Sequence, residues 1–102
     1  MKFELTASFI GDRNRLTKAE LDIVRAKLPE FVTACERYAA DPSAKWPASL
    51  RVRAVEGAPG VLEMTFSFSG PAVRATFEWA RIDDELAVRW RRIGGHEIFR
   101  EP

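Results

Sequence analysis

Hydrophobic and polar residues alternate along residues 2–10. Phe3, Leu5, Ala7 and Phe9 fall on one side of an extended chain, whereas Lys2, Glu4, Thr6 and Ser8 fall on the other. This period-two alternation predicts a half-buried β-strand. Gly11, Asp12 and Asn14 favour turns, so we expect the strand to be followed by a turn within residues 11–15.

A period of three to four residues follows and predicts a long amphipathic helix. Thr17 and Glu20 have the spacing of a capping box, in which each side chain accepts a hydrogen bond from the other residue's backbone amide. The apolar stripe contains Leu21, Val24, Leu28, Phe31, Val32, Cys35, Tyr38 and Ala39. Pro29 lies inside this stripe and lacks a backbone donor, so we expect one bent helix or two nearly collinear helices. Pro42 and Pro47 place a loop after it.

From Leu50 onward the pattern changes to a period of two. Four segments alternate in this way, at residues 50–55, 61–68, 72–79 and 85–93, and turn-forming clusters separate them. Short turns connect antiparallel neighbours. The elements together predict an α+β fold, in which an N-terminal strand precedes one kinked helix, or two short helices, packed on a mainly antiparallel sheet of about five strands.

The length and composition fit a single domain over residues 1–102. The chain is 46% hydrophobic and 30% charged with a net charge of +1, so no global field would draw it to nucleic acid or membrane. The chain has a single cysteine, which excludes an internal disulfide. With only one histidine in addition, it has too few soft ligands for a zinc site. With no apolar leader or membrane-length run, we expect a cytoplasmic protein without a metal or organic cofactor.

The alternation assigns side chains of the later strands to two faces. The apolar face, expected to contact the helix, carries Leu50, Val52, Leu62, Met64, Phe66, Phe68, Val73, Phe77, Trp79, Leu86, Val88 and Trp90. The opposite face, called the polar face below, carries Arg51, Arg53, Glu63, Thr65, Ser67, Arg74, Thr76, Glu78, Arg89 and Arg91. Five arginines against two glutamates make this face basic, although the whole chain is nearly neutral.

Two interpretations of the polar face remain open. Guanidinium groups match pairs of phosphate oxygens, so a sheet that carries several arginines suits a nucleic-acid backbone. Alternatively, Glu63 and Glu78 form cross-strand ion pairs with Arg74 or Arg89 on an ordinary solvated face.

The segment RWRRIGGHEIFREP, residues 89–102, contains the only histidine of the chain. His96 is the natural candidate for proton transfer, because an imidazole changes its charge near neutrality. Gly94 and Gly95 would let the backbone turn sharply and present the ring beside the arginines. The alternative is a surface histidine in a mobile tail.

Three further residues are assigned by their position in the pattern. Trp79 and Trp90 fall on apolar positions of the strands, so we expect both in the core. Cys35 lies on the helix stripe and is expected to be an inert core residue. Trp46, in the proline-rich loop, is freer to contact a partner.

The second half of the chain resembles a known family. LRVRAVEGAPGVLEMTFSFSGPAVRATFEW, followed by VRWRRIGGHEIF, is similar to the RelE/ParE superfamily of toxins from bacterial type II toxin–antitoxin systems. The resemblance is to actinobacterial members with an Arg-Arg-Ile-Gly-x-His ending, and it covers residues 50–102. It implies a small α+β toxin held inactive by a cognate antitoxin that covers its basic face. Nuclease members cut messenger RNA on the ribosome, whereas the ParE branch poisons DNA gyrase.

By position, the resemblance implies roles for individual residues. Arg74 falls on a phosphate-binding arginine of the sheet, and His96 falls on the basic residue after the last strand, with Glu63 as its possible partner. Phe99 stands where many nuclease members have a tyrosine, and Glu63 and Thr65 stand where some have lysines, so these positions depart from the nuclease pattern. Further candidates for binding RNA phosphates are Arg51, Arg53, Arg89, Arg91, Arg92 and Lys45.

The expected function is therefore a toxin that acts as a ribosome-dependent mRNA endoribonuclease. In its metal-independent reaction the ribose 2′-hydroxyl attacks the adjacent phosphate. The expected partners are a cognate antitoxin and mRNA on the ribosome, with DNA contacted only through the antitoxin complex and no membrane. Two alternatives are a gyrase-poisoning toxin without nuclease activity and a non-enzymatic protein-interaction domain whose arginines pair with Glu63, Glu78 or an acidic partner.

Overall fold

The computed structural model describes residues 1–67 and 72–102. Its elements in chain order are β1 (Lys2–Leu5), α1 (Ala7–Arg13), α2 (Lys18–Ala40), β2 (Arg53–Ala54), β3 (Val61–Thr65), β4 (Arg74–Ile82) and β5 (Glu85–Gly94). Two 3₁₀ helices span Ala48–Leu50 and His96–Arg100. The predicted α+β fold is confirmed. Phe68 and the predicted turn at residues 69–71 lie outside the described residues.

The five strands form one sheet in the order β1-β5-β4-β3-β2. β1 lies parallel to β5 at one edge, with Leu5 opposite Trp90, and the remaining neighbours are antiparallel. A tight turn joins β4 to β5 through Asp83 and Asp84, which both adopt left-handed backbone conformations, with φ of 51° and 63°. The first and last strands of the chain, β1 and β5, are therefore neighbours in the sheet.

The N-terminal strand is shorter than the alternation predicts. It ends at Leu5, and Thr6 caps α1 by accepting a hydrogen bond from the amide of Phe9 at 3.1 Å. The predicted turn is therefore wrong in part, because Gly11 and Asp12 lie inside this helix. A hydroxyl cap and the burial of Phe9 against Trp90, with ring centroids 5.7 Å apart, stabilise the helical alternative.

The predicted long helix and its capping box are confirmed. α2 continues through Pro29 as one helix, and Thr17 and Glu20 each accept from the other's backbone amide. Its central residue Phe31 is fully buried, and its ring centroid lies 5.1 Å from that of Phe77 and 4.7 Å from that of Trp90. These contacts fix α2 over β4 and β5, at the middle of the sheet.

An aromatic cluster extends this core to the far end of α2. Trp46 stacks on Phe31 and Tyr38 with centroids 5.9 and 6.1 Å apart, so the expectation of a freer loop tryptophan is wrong. Trp79 stacks on Tyr38 at 4.7 Å and is partly buried against the core, so its predicted place in the core is confirmed in part. Offset stacking of large rings excludes water and orders the proline loop against the helix.

Candidate functional site: the Arg74–His96 pair and the arginine network

Arg74 and His96 meet at one end of the sheet. Arg74 begins β4 and lies opposite Gly94, the last residue of β5, so the 3₁₀ helix that starts at His96 emerges beside it. The Nη1 atom of Arg74 is 3.0 Å from Nδ1 of His96. A guanidinium only donates, so Nδ1 accepts and the neutral ring carries its proton on Nε2. The sequence predicted both residues as site candidates, and the structure brings them into contact.

Glu97 fixes the turn that presents His96. Its Oε1 accepts a hydrogen bond from the amide of Gly95 at 3.1 Å. Hydrogen bonds from the backbone amides of Glu97 and Gly95 lower the pKa of this carboxyl. A Cβ atom at Gly95 would lie 2.6 Å from Oε2 of Glu97, so a side chain there would displace the carboxylate. Gly95 therefore lets the Glu97 carboxylate approach the backbone closely, in addition to allowing the sharp turn that the sequence predicted.

Phe99 packs against both members of the pair. Its ring meets the His96 ring edge-on, with centroids 5.4 Å apart and planes at 71°. The Arg74 guanidinium carbon lies 6.0 Å from the Phe99 centroid, at the outer limit of a cation–π contact. Ile98, one residue earlier, is 1% exposed and anchors the 3₁₀ helix. Phe99 therefore orders the pair but has no hydroxyl with which to exchange a proton.

The middle of the polar face is occupied by an ion-pair network. Arg89 donates to Glu4 at 2.6 Å and to Glu78 at 3.1 Å, and Arg91 donates to Glu78 at 3.3 Å. Arg91 also donates to the carbonyl oxygen of Pro102 at 3.0 Å. Hydrogen bonds with Glu4 and then Glu78 raise the pKa of Arg89. The cross-strand pair of Glu78 with Arg89 matches the interpretation of this face as an ordinary solvated surface with ion pairs between strands.

Arg92 is held by a carboxylate that the sequence analysis assigned to a turn. Its guanidinium donates to both oxygens of Asp12, at 2.6 and 3.1 Å, and to the carbonyl oxygen of Glu101 at 3.1 Å. The Asp12 side chain is 5% exposed and also accepts from the amide of Ile93 at 3.2 Å. Arg92 is consequently committed to joining α1 to β5.

Glu63 has a partner other than His96. It forms an ion pair with Arg53, its neighbour across β2 and β3. Within residues 1–67 and 72–102 it makes no hydrogen bond with His96, so the structure does not bring this predicted catalytic pair together. Lys45 and Arg51 are exposed and lie outside the strands, in the loop after α2 and directly after the 3₁₀ helix Ala48–Leu50.

Arg74 differs in its surroundings from the other arginines of the strands that the sequence proposed for phosphate binding. Arg53, Arg89, Arg91 and Arg92 all pair with carboxylates. Arg74 forms no ion pair within the described part of the chain, and its polar contact is with the Nδ1 atom of His96. Among the predicted phosphate-binding residues of the strands, Arg74 therefore keeps a charge that no carboxylate balances.

Two acidic partners, Glu4 and Asp12, were missed because the alternation gives no information about them. Glu4 faces Arg89 because β1 pairs with β5 in parallel, and Asp12 reaches Arg92 because α1 is a helix. Both depend on contacts between residues more than 75 positions apart, which a local pattern does not encode. One feature of the sequence could have indicated the helix: Asp12 follows Phe9 by three positions, so the two residues would lie on the same face of a helix.

Comparisons with family models, curated proteins and solved structures find no match to this chain. No helix among the described residues is both long and apolar enough to cross a membrane. The same residues contain no group of three or more His, Cys, Asp or Glu side chains placed to hold a metal ion. The resemblance to the RelE/ParE superfamily thus rests on the residues of the chain alone.

Proposed function

We propose that this chain is a RelE-type toxin of a type II toxin–antitoxin system and acts as a ribosome-dependent mRNA endoribonuclease. Arg74 binds the scissile phosphate, and His96 transfers protons. The observation that carries the proposal is the 3.0 Å contact between Arg74 Nη1 and His96 Nδ1 on an exposed part of the sheet. It joins the one imidazole of the chain to a cation that has no carboxylate partner among residues 1–67 and 72–102.

The contact also suggests how substrate binding would activate the histidine. A phosphate that takes the guanidinium of Arg74 competes with Nδ1 for its donors. His96 Nδ1 is then free to accept the proton of the ribose 2′-hydroxyl. The 2′-oxygen bonds to phosphorus, the bond from phosphorus to the 5′-oxygen of the next nucleotide breaks, and the imidazolium returns a proton to that 5′-oxygen. The products are a 2′,3′-cyclic phosphate and a free 5′-hydroxyl.

The ion pairs narrow the set of residues to which the proposal assigns chemistry. Binding a phosphate with Arg89, Arg91 or Arg92 would first require breaking pairs to Glu4, Glu78 or Asp12. Glu63 is likewise occupied by Arg53. The proposal therefore keeps these residues as a rigid support, with Arg74 and His96 as the groups that touch RNA. A cognate antitoxin would inhibit by covering this pair.

Expression in a bacterial host tests the proposal directly. We expect the chain to arrest growth and to cut a reporter mRNA on translating ribosomes, as read by primer extension. His96→Gln should lower the cleavage rate by roughly 10²–10⁴-fold, the usual contribution of a general acid–base. Arg81→Gln, at the opposite end of β4, is the matched control and should keep full activity. Cleavage that survives His96→Gln unchanged contradicts the mechanism.

The arginine network favours a second candidate, a non-enzymatic protein-interaction domain with the same fold. Most of the sheet arginines already have carboxylate partners, as expected for a structural surface. This candidate predicts a product that neither arrests growth nor binds RNA. A gyrase-poisoning toxin would instead arrest growth and induce the SOS response without cutting RNA. Growth arrest, the SOS response and RNA cleavage, measured together, therefore separate the three functions.

A further inference from the structure

An open apolar groove lies on the helix side of the sheet, and neither Arg74 nor His96 lines it. Its volume is about 460 Å³. Phe3 and Leu5 of β1 form one wall, and Leu21, Val24 and Leu28 of α2 contribute to the other. Phe3 and Leu5 are 39% and 38% exposed, which is high for large apolar side chains that face the same side of a sheet as the core.

The groove arises from the position of β1 at the edge of the sheet. α2 packs over β4 and β5 through Phe31, and β1 lies beyond β5. In the chain as far as it is described, the inward face of β1 is therefore left without a covering helix. Contiguous apolar surface of this kind commonly marks an interaction site in a folded protein.

The charges at the groove are of one sign. Arg13 of α1 and Arg25 of α2 line it, and no Asp or Glu does. Both arginines are exposed, and neither forms an ion pair within the described ranges. Four arginines on the other side of the sheet have carboxylate partners, so the positive charge at the groove is not balanced in the same way.

We propose that the groove binds an acidic amphipathic helix of a partner protein. Apolar residues at positions i, i+3/i+4 and i+7 would fill the groove, and Asp or Glu residues beside them would face Arg13 and Arg25. A second copy of the chain is a poorer occupant, because a symmetric contact would bring two positively charged rims together. The inference is independent of the nuclease, since it uses neither Arg74 nor His96.

Two designed peptides test the proposal with the full chain. Both are labelled 18-residue helices with the same leucine stripe, flanked by Glu in one and by Lys in the other. Fluorescence anisotropy should show binding of the Glu peptide only. Amide NMR shifts should be confined to β1, α1, α2 up to Val32 and the groove residues Phe66, Trp90 and Ile93. The double variant Arg13→Glu/Arg25→Glu should weaken binding by about tenfold or more, and 0.5 M salt should weaken it as well.

A matched double variant controls for the change in net charge. Arg37→Glu/Arg100→Glu alters two exposed arginines outside the groove and should leave the affinity for the Glu peptide unchanged. Equal binding of both peptides, no binding of either, or binding insensitive to Arg13→Glu/Arg25→Glu overturns the proposal. Self-association that Leu5→Glu abolishes, measured by sedimentation on a variant with unchanged circular dichroism, also overturns it and identifies a second copy as the occupant.

Discussion

Asp12 and Arg92, 80 residues apart in the chain, form a two-pronged ion pair that joins α1 to β5. The Asp12 side chain is 5% exposed, and the amide of Ile93 supplies a third hydrogen bond to it. Replacing one partner of a buried pair leaves the other charge poorly solvated. The pair is therefore a principal long-range contact between the two ends of the chain.

Asp12→Asn should destabilise the fold by about 2–4 kcal/mol, because it removes the charge that Arg92 and the Ile93 amide bind. Urea denaturation followed by circular dichroism measures this. The control is Asp83→Asn, which removes an exposed pair with Lys2 and should change stability by less than about 0.5 kcal/mol. Equal effects of the two substitutions on the free energy of unfolding would show that the buried pair stabilises the fold no more than the exposed pair does.

The same carboxylate predicts how stability depends on pH. Burial raises the pKa of Asp12, but hydrogen bonds from Arg92 and the Ile93 backbone, with the charges of Arg92 and Arg15, outweigh it and hold the pKa below 3.8. A carboxyl whose pKa is lower in the folded state stabilises the fold above its unfolded pKa, and loses that effect as the pH falls through the folded value. Unfolding free energy should thus be level from pH 7 to about 5 and fall below about pH 4, with a shallower fall in Asp12→Asn.

Glu97 is expected to position His96 without touching RNA. Glu97→Ala removes the acceptor for the Gly95 amide, so the ring should lose its fixed contact with Arg74. We expect the cleavage rate to fall by roughly tenfold, as for one lost hydrogen bond, with little change in stability. Glu97→Gln keeps an acceptor oxygen and should restore most of the rate. A merely structural role would instead lower stability and leave the His96 NMR signals unmoved.

Cys35 should be unreactive in the native protein. It is fully buried, and burial followed by the charge of Glu36 raises the pKa of its thiol to about 12. The thiolate is the reactive form, so a disulfide reagent such as DTNB should modify the native chain very slowly and the urea-unfolded chain at once. Rapid native modification would mean that α2 separates readily from the sheet.

Periodicity predicted the elements whose environment repeats along the chain. The capping box of α2 and the strands β3, β4 and β5 follow from local spacing, as does the burial of Trp90. The predicted strand ends too late, because the alternating residues around Thr6 fit both an extended strand and a helix that begins with a hydroxyl N-cap. Only the packing of Phe9 on Trp90 decides between them.

The candidate site was predictable only in part, because local patterns identify candidate residues but not the partners that long-range contacts bring to them. Arg74 and His96 were both identified from the chain, and their contact follows from the register of β4 with β5. The pair of Arg89 with Glu78 was also predicted, but Glu4 and Asp12 were not, because they reach Arg89 and Arg92 through the parallel β1–β5 pairing and through α1. A count of charges on one face therefore overstated the free positive charge of the sheet.

The central claim is that Arg74 and His96 act as one unit on RNA. A double-mutant cycle measures this most directly, using single-turnover cleavage of a reporter mRNA on stalled ribosomes by the wild-type chain, Arg74→Ala, His96→Gln and the double variant. The effects of substituting two residues that act as a unit are not additive, so the double variant should cleave no more slowly than the slower single variant. We expect that single variant to cleave at least roughly 100-fold more slowly than the wild-type chain. Wild-type rates in both single variants, or purely additive losses, would contradict the account.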